Sequence, residues 1–353
     1  MGPVGTITLS ASAVGVAEVE AWRDLCDDAA EPNPFYAPEF VLPAWSTLSL
    51  RGCGLRVVLD GREWIACLPI QARRAAGAAI IGLTHGYSFL STPLVRRGCV
   101  EAGVRGLVAR RRRGPAPAVS LTRAGGDGPV AGALAAVVAE AGLAPVWERR
   151  AERAAARPLR GGPAPRHRDL ERRRRRMQEA LDGPVTVEDR SASAAAVGEF
   201  LALEAAGWKG REGTALAGRP GDRAFFVAMS AGFAERGLLR LWTLTAAGRT
   251  AAMACELRAG DAVFGFKTCH DETLRRYSPG TQLLSDLVDR FRSDDRLTLY
   301  DSCSDPDAKG INDLYGGRRE IVSLAAAPRP LAGGLRAGID GLSSVRRALS
   351  RRR

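Results

Sequence analysis

Lysine is nearly absent from this chain. Three of its 51 basic residues are lysines, namely Lys209, Lys267 and Lys309, and the others are arginines. Such a preference, with abundant alanine and glycine, is typical of a GC-rich genome that uses arginine wherever either cation would serve. The net charge of +12 is therefore weaker evidence for a nucleic-acid partner than usual. The three lysines lie in the second half, close to the segments discussed below.

The cysteines form no pattern typical of a metal site or a disulfide framework. There are seven, an odd number, and no two have the spacing of a CxxC motif. This distribution argues against structural zinc and against a set of disulfides. We expect a cytoplasmic protein with reduced thiols and no metal.

No segment has the character of a membrane-spanning helix or a secretory signal. The most apolar stretch, Ala75 to Leu90, is interrupted by glycine and by His85 and is too short to span a bilayer. The segment Met1 to Thr6 lacks a basic region followed by an apolar core. With 46% apolar and 25% charged residues, the 353-residue chain is typical of globular proteins with two domains.

The order of apolar runs predicts an α/β (α+β) fold. Each half is expected to contain a mixed, largely antiparallel sheet flanked by helices. An Asp60-Gly61 turn between two apolar runs predicts a hairpin in the first half, and a three-strand meander is expected over 238–269 in the second. The predicted ranges are 1–152 for the first domain, 153–165 for a linker, 166–328 for the second domain and 329–353 for a tail.

The most informative segment is Tyr277-Ser278-Pro279-Gly280-Thr281-Gln282-Leu283-Leu284, which follows a strand-like run (Ala262 to Cys269) and opens a helix. Proline is favourable in a first helical turn. The N–H groups of Gly280, Thr281 and Gln282 would then be unpaired at the positive helix end, where an anion such as a diphosphate is stabilised. An ordinary helix start has the same pattern. The first half shows no counterpart of this helix start, so we expect any cofactor site in the second half.

The tail has the pattern of a basic amphipathic helix. Its apolar residues recur at steps of three and four, at Leu331, Leu335, Ile339, Leu342, Val345 and Leu349. Such a helix could make peripheral contact with an anionic membrane, at its inner face, through residues 331–353. Docking on the body of the protein is the alternative.

Several motifs of the second half resemble a known family. The segment Phe200 to Leu216 is similar to the LE..GWKG..GTAL signature of bacterial FemAB/CelD-like acyltransferases, a branch of the GNAT superfamily. The segment Tyr277 to Leu284 fits the same family, as do Asp301 to Cys303 and Asn312 to Arg319. These motifs cover about residues 196–324. The first half matches more loosely, through Asn33 to Phe40.

The resemblance implies two tandem GNAT-like domains that transfer an acyl group from acyl-CoA, as co-substrate, to an amine. Family substrates suggest an acceptor amine on a small molecule or a glycan precursor of the cell surface. Relatives in the Fem branch use aminoacyl-tRNA, so tRNA remains an alternative donor. The run Arg172 to Arg176 keeps that alternative open, although five consecutive helical residues point all round and favour a solvated helix. A non-catalytic scaffold of a polysaccharide machine is a further alternative.

Acyl transfer to an amine needs a base, a stabiliser of the oxyanion and a proton for the leaving thiolate. Candidate catalytic residues are Asp301, Glu204, His270 and Tyr300, each of which also has an ordinary structural interpretation. A backbone amide in the strand from Phe264 to Cys269 is the candidate oxyanion donor.

Two further sets of residues are candidates for binding. For the donor diphosphate we expect Arg275, Arg276, Tyr277, Ser278, Gly280, Thr281 and Gln282. For the acceptor we expect Trp208, Lys209, Lys267 and Tyr315. Tyr315 is also a candidate for protonating the thiolate. An indole can support a sugar or a peptide, and an ammonium group can meet a phosphate or carboxylate.

Overall fold

The computed structural model describes residues 4–71, 79–109, 117–158 and 167–333. Helices and mixed sheets alternate through these residues, which confirms the predicted α/β (α+β) fold class. The strands are β1 (Val4–Ser10), β2 (Cys53–Asp60), β3 (Glu63–Gln71), β4 (Ile80–Ile81), β5 (Leu94–Val95), β6 (Val119–Gly125), β7 (Leu143–Ala156), β8 (Val185–Asp189), β9 (Leu239–Ala246), β10 (Arg249–Ala259), β11 (Ala262–His270), β12 (Leu299–Asp301) and β13 (Gly317–Pro328). The helices are α1 (Val16–Asp27), α2 (Pro38–Thr47), α3 (Val100–Val108), α4 (Pro129–Glu140), α5 (Arg168–Leu181), α6 (Ala194–Ala206), α7 (Trp208–Arg211), α8 (Pro220–Glu235), α9 (Pro279–Arg292) and α10 (Lys309–Tyr315).

The described residues form two compact units. Unit 1 comprises the described residues within 1–36, 51–151 and 320–353. Unit 2 comprises those within 37–50 and 152–319. The predicted domain ranges are continuous, whereas 37–50 counts with unit 2 and the chain from 320 counts with unit 1. Residues 159–165 of the predicted linker and the tail beyond 333 lie outside the described residues.

Unit 1 contains an antiparallel sheet in the order β1, β2, β3, β5. The predicted hairpin is present: Asp60 pairs with Glu63, and Gly61 adopts a positive φ of 62° that suits glycine. β4 pairs in parallel with β6, and β6 pairs in antiparallel fashion with β13. α3 approaches β2 so closely that a Cβ on Gly106 would lie 2.4 Å from Cγ1 of Val58.

Unit 1 also contains a helix that begins with proline. α4 follows β6 through a short loop, with Gly128 as its N-cap and Pro129 at its first position. The prediction concerned a Pro-Gly start such as Pro279-Gly280. α4 shares the proline but has Val130 in place of the glycine.

Unit 2 has strands in the order β7, β12, β11, β10, β9, β8, to which β7 contributes Ala155 and Ala156. The expected meander is present as β9, β10 and β11, which pair in antiparallel fashion. β11 and β12 are parallel, and α9 connects them. Leu283, Leu287 and Phe291 of α9 bury against one face of this sheet.

Part of the predicted linker belongs to β7. Residues 153–156 are strand residues, and Arg153 is only 3% exposed. Burial of an arginine requires a partner, and Asp301 provides it: Nη2 of Arg153 donates to Oδ2 of Asp301 at 2.6 Å. Because that partner is far away in the sequence, the local Ala- and Arg-rich composition suggested a linker instead of a strand.

None of the helices in the described part of the chain has the length and apolar character needed to cross a bilayer.

Candidate active site

The candidate site lies along the second half of β11. β11 pairs with β12 only from Ala262 to Phe264, but it continues to His270. On the other side it stays paired with β10 as far as His270. Among the described residues no strand pairs with this remaining edge of β11. The edge therefore offers backbone groups to an extended ligand.

The start of α9 lies beside this edge. A Cβ built on Gly280 would lie 3.6 Å from Nδ1 of His270 and 3.7 Å from Cγ2 of Thr268, which are ordinary contact distances. The missing side chain of Gly280 therefore faces β11. Ser278 precedes the helix in the left-handed conformation, with φ of 56°.

Of the three amides that were expected to be unpaired in the first turn of α9, two are unpaired and one is paired. The N–H of Gln282 donates to the carbonyl of Ser278 at 3.0 Å. The side chain of Gln282 is buried, and its Nε2 donates to the carbonyl of Tyr277 at 2.8 Å. The amides of Gly280 and Thr281 have no acceptor among the described residues. Anion binding at this helix start would thus depend on Gly280 and Thr281, because Gln282 is used inside the protein.

A groove of about 740 Å³ opens next to Tyr277 and Ser278. It is lined by Arg172, Arg173, Arg176, Glu179, Ala180, Arg276 and Tyr277. Nη1 of Arg173 donates to Oγ of Ser278 at 2.9 Å, which ties the groove to the start of α9. The guanidinium of Arg276 lies 4.6 Å from the ring centre of Tyr277. Arg275, in contrast, is exposed and does not line the groove.

The groove is cationic. Its four arginines face one acidic lining residue, Glu179. Asp169 pairs with Arg172 and Arg173, and the hydrogen bond from Arg173 is the main cause that lowers the pKa of this carboxyl. An excess of guanidinium groups beside a helix N-terminus favours phosphate.

The arginine run divides between two roles. Arg172, Arg173 and Arg176 share one face because residues three and four apart are neighbours on a helix. Arg174 instead pairs with Asp286, with Nη1 and Oδ2 2.7 Å apart, and Arg175 is exposed. Arg172, Arg175 and Arg176 are all exposed, as the interpretation as a solvated helix implies, but Arg172, Arg173 and Arg176 also line the groove. Their helical spacing was the signal in the sequence that could have identified them.

Two of the three lysines meet at one buried carboxylate. Nζ of Lys209 and Nζ of Lys267 each lie 3.2 Å from Oε1 of Glu204, whose Oε2 accepts the N–H of Leu216 at 2.8 Å. Burial alone would raise the pKa of Glu204, but the two lysines and this amide outweigh it and hold the pKa below its usual range. Burial also lowers the pKa of Lys267, and Glu204 compensates only in part. The structure thus brings together three of the predicted site residues.

The short helix α7 presents Trp208 next to this cluster. A Cβ on Gly210 would lie 1.8 Å from the carbonyl oxygen of Ala205, so the turn after α6 requires glycine at that position. Trp208 is 45% exposed, and Nζ of Lys209 lies 5.9 Å from the centre of its ring. Lys209 also donates to the carbonyl of Thr268 at 3.0 Å, which fixes α7 to the edge of β11.

A β-bulge interrupts the pairing of β10 and β11 near the lysines. Cys255 pairs with Lys267 and Glu256 with Gly265, so Phe266 is the extra residue. A bulge leaves backbone groups unpaired and redirects side chains. The bulge lies within the segment Phe264 to Cys269, in which an oxyanion donor was predicted.

His270 ends β11 and lies at the start of α9. Its side chain is 30% exposed, and Nε2 is 3.7 Å from Oε1 of Glu272. It lies four positions after Phe266 in the bulge, which corresponds to about 13 Å along a strand. His270 is therefore placed at the end of the candidate site beside the start of α9.

Asp301 is fully buried and has three hydrogen-bond donors. It accepts from Arg153 at 2.6 Å, from Arg319 at 2.9 Å and from the N–H of Cys303 at 3.0 Å. Burial alone would raise the pKa of Asp301, but the two arginines outweigh it and hold the pKa below its usual range. A carboxylate held in this way favours a structural role over that of a base.

Tyr300 and Tyr315 are buried in the core beneath α9, with ring centres 5.0 Å apart. The hydroxyl of Tyr300 donates to Glu256, which also accepts Nε1–H of Trp242 at 3.1 Å. Burial raises the pKa of both tyrosines well above the usual range. This environment favours structural roles for both.

Comparison with known proteins finds a family model that matches part of the chain. Residues 164–308, which include α5, β11 and the start of α9, match the family model of the acetyltransferase (GNAT) domain. A search of curated proteins finds no match to this chain.

Solved structures of similar fold cover most of the chain. FemX has a TM-score of 0.57 at 11% identity, over 90% of this chain and 98% of that one. A second similar structure is the C-terminal domain (DUF2156) of a protein assigned as a lysylphosphatidylglycerol synthetase from Agrobacterium fabrum. Its TM-score is 0.55 at 13% identity, over 90% of this chain and 94% of that one. L-PGS from Bacillus licheniformis has a TM-score of 0.53 at 10% identity, over 90% of this chain and 94% of that one. These identities show a shared fold alone. The family model that matches residues 164–308 is that of a GNAT-type acetyltransferase domain, and this match supports an acyltransferase.

Proposed function

We propose that this chain transfers an acyl group from acyl-CoA to an amine. The observation that carries the proposal is the start of α9, where Gly280 and Thr281 present unpaired amides beside the arginine-lined groove. A diphosphate needs N–H donors and positive charge together, and this site supplies both. The open edge of β11 leads away from the site toward the bulge, which gives an extended donor arm a path.

In this proposal the reaction takes place at the bulge of β11. A backbone amide there would stabilise the carbonyl oxygen of the donor as negative charge develops. Lys267, adjacent in the chain to Phe266, contributes positive charge, and Glu204 holds its Nζ in place. The donor is thus bound at the phosphate end and polarised about 13 Å away along the strand.

The acceptor in this proposal binds beside Trp208 and Lys209. The exposed indole supplies an apolar surface for a sugar ring or a peptide, and the ammonium group can meet an anionic substituent. An amino sugar or amino-acid-like group on a surface-polymer precursor combines both features with a reactive amine. We propose this class of acceptor because of the family resemblance of the GWKG segment.

Calorimetric titration of acetyl-CoA tests the donor site. Wild type should bind with a Kd of about 1 μM, which corresponds to about −8 kcal/mol. Arg176→Glu should weaken binding at least about tenfold, because it reverses a charge that lines the groove. Arg175→Glu makes the same change one residue earlier, on an exposed side chain outside the lining, and should stay within about twofold.

A folded wild type that binds neither acetyl-CoA nor a longer acyl-CoA would refute the donor assignment. Equal weakening by Arg175→Glu and Arg176→Glu would show that net charge, and not the groove, governs binding.

Fem-type transfer from aminoacyl-tRNA is the second candidate, because FemX shares the fold over 90% of this chain. The same arginines would then contact tRNA phosphates. Binding of tRNA that weakens steeply between about 50 and 200 mM salt, without binding of acyl-CoA, would favour this candidate.

A further inference from the structure

Unit 1 contains an apolar cavity of its own. It measures about 380 Å³ and lies between α4 and the strands β6, β7 and β13. This volume falls within the range of about 300–1,000 Å³ that is typical of small-molecule sites. The cavity is separate in sequence from the α9 site described above, and the GNAT family model does not cover its lining residues.

One wall of the cavity follows the axis of α4. Ala131, Ala135 and Ala139 of α4 line one wall at steps of four residues, which places them in a row along the helix. Residues of β13, including Val322 and Leu324, also line it. From Ala131 to Ala139 the helix rises about 12 Å. A lining of short side chains in a row leaves a channel along the helix.

The lining offers little to a charged ligand. Glu148 and Arg150 are its two charged residues, and they pair with each other at 2.7 Å. Arg150 also pairs with Glu320 at 2.9 Å. Both charges belong to β7, so the wall formed by α4 is apolar throughout. None of the described lining residues is aromatic.

The end of the cavity at the start of α4 is closed to anions. Oε1 of Glu31 accepts the N–H of Val130, a lining residue, at 2.7 Å. A Cβ on Gly128 would lie only 2.2 Å from the carboxyl carbon of Glu31, so the carboxylate occupies this helix start. A phosphate or carboxylate of a ligand would meet like charge there.

We propose that this cavity binds a single linear alkyl chain from an external ligand. A channel with apolar walls, without aromatic rings and with a closed anion site suits a methylene chain better than a nucleotide or a ring system. Each buried methylene should strengthen binding about fourfold, which corresponds to the usual transfer free energy of a CH₂ group.

The described beginning of the tail lies beside the cavity and does not fill it. Ala332, near the end of the described residues, packs against Val146 and Ala327. Their neighbours Pro145 and Ala326 line the cavity. Ala325 borders both this cluster and the cavity, whereas Ala332 itself is not among the lining residues.

Calorimetric titration with hexanol, octanol and decanol tests the proposal on the full chain. Affinity should rise about fifteenfold for each pair of added methylenes. Adamantanol, which is compact and apolar, should bind at least tenfold more weakly than decanol. Ala135→Trp should fill the channel and abolish binding, whereas Ala136→Trp, at an exposed neighbouring position outside the lining, should leave it unchanged.

Three results would overturn the proposal: no binding of decanol, adamantanol binding as tightly as decanol, or equal binding by both tryptophan variants. Circular dichroism checks that Ala135→Trp folds. If it does not, Ala139→Phe fills the same channel nearer the end of α4 and should also block decanol. Decanoate distinguishes the source of the chain, because a free carboxylate that improves binding would point to a fatty acid.

Discussion

The two units each contain a helix that begins with proline, but the groups that surround the positive end of that helix differ in charge. In each, a strand leads through a loop to a helix with proline at its first position, namely Pro129 in α4 and Pro279 in α9. The carboxylate of Glu31 occupies the start of α4. The start of α9 instead faces the arginine groove through Ser278. A positive helix end is therefore a candidate ligand site only when the protein does not supply its own anion.

The largest expected effect comes from converting the α9 start into the kind found in α4. Ser278→Asp places a carboxylate beside Arg173 and should lower acetyl-CoA affinity about a hundredfold, which corresponds to about 2.7 kcal/mol. Ser278→Asn has the same shape without the charge and should stay within about tenfold. Calorimetry measures both. Tight binding by the aspartate variant would contradict the comparison.

The two helix starts should also respond differently to a methyl group. Gly128→Ala forces a Cβ to within 2.2 Å of the carboxyl carbon of Glu31 and should lower the free energy of unfolding by about 1–3 kcal/mol. Gly280→Ala makes only ordinary contacts with β11 and should raise it by about 0.5–1 kcal/mol, because alanine favours a helix. Urea denaturation compares the two. Similar losses would show that both sites are equally crowded.

Removal of the Glu31 side chain should destabilise the start of α4. Glu31→Ala should lower the free energy of unfolding by about 1–2 kcal/mol, because the Val130 amide loses its acceptor and the helix end loses its counter-charge. Inorganic phosphate should restore part of this stability in the variant and none in wild type. Glu140→Ala, at the other end of α4 in an exposed pair with Arg105, should change stability by less than about 1 kcal/mol. Thermal denaturation of both proteins with and without phosphate measures this difference, and an equal effect of phosphate on both would contradict the prediction.

The smallest effect concerns the backbone at the α9 start. Ser278 has φ of 56°, a conformation that costs a non-glycine residue about 1–2 kcal/mol. Ser278→Gly relieves this strain but adds entropy to the unfolded chain, so the net gain should be about 0.5 kcal/mol. Asp182→Gly, with φ of 52° at the end of α5, should give a similar gain. A loss at Ser278 alone would indicate that its contact with Arg173 outweighs the strain.

Local patterns predicted most of the elements in these two units. The hairpin at Gly61, the meander of β9 to β11 and the start of α9 at Pro279 all follow from turn residues and apolar periodicity. β7 was missed in its linker portion because Arg153 is buried only through a distant partner, Asp301. Periodicity reports the face that a residue prefers, but it does not report the counter-charge that permits burial.

The candidate site was predictable in part. The GWKG segment and the lysine bias singled out Trp208, Lys209 and Lys267, and the structure places the two lysines on Glu204. The roles of Asp301 and Tyr300 as catalytic residues stay predictions, in environments that favour structural roles. Of the groove arginines, Arg276 was predicted, whereas Arg172, Arg173 and Arg176 were missed. Their spacing indicates a shared helix face, but not what that face meets.

By itself, the sequence determined most of the segments that form helices and strands, and that a strand followed by Pro279 would begin a helix with unpaired amides at Gly280 and Thr281. These outcomes depend on neighbours in the chain, on backbone restriction by proline and on apolar spacing. Only the tertiary structure decided that Glu31 would meet Val130 and that Arg173 would meet Ser278. Each of these pairs is separated by about a hundred residues, so the fold, and no local propensity, determines which helix start receives a carboxylate and which remains open to a ligand.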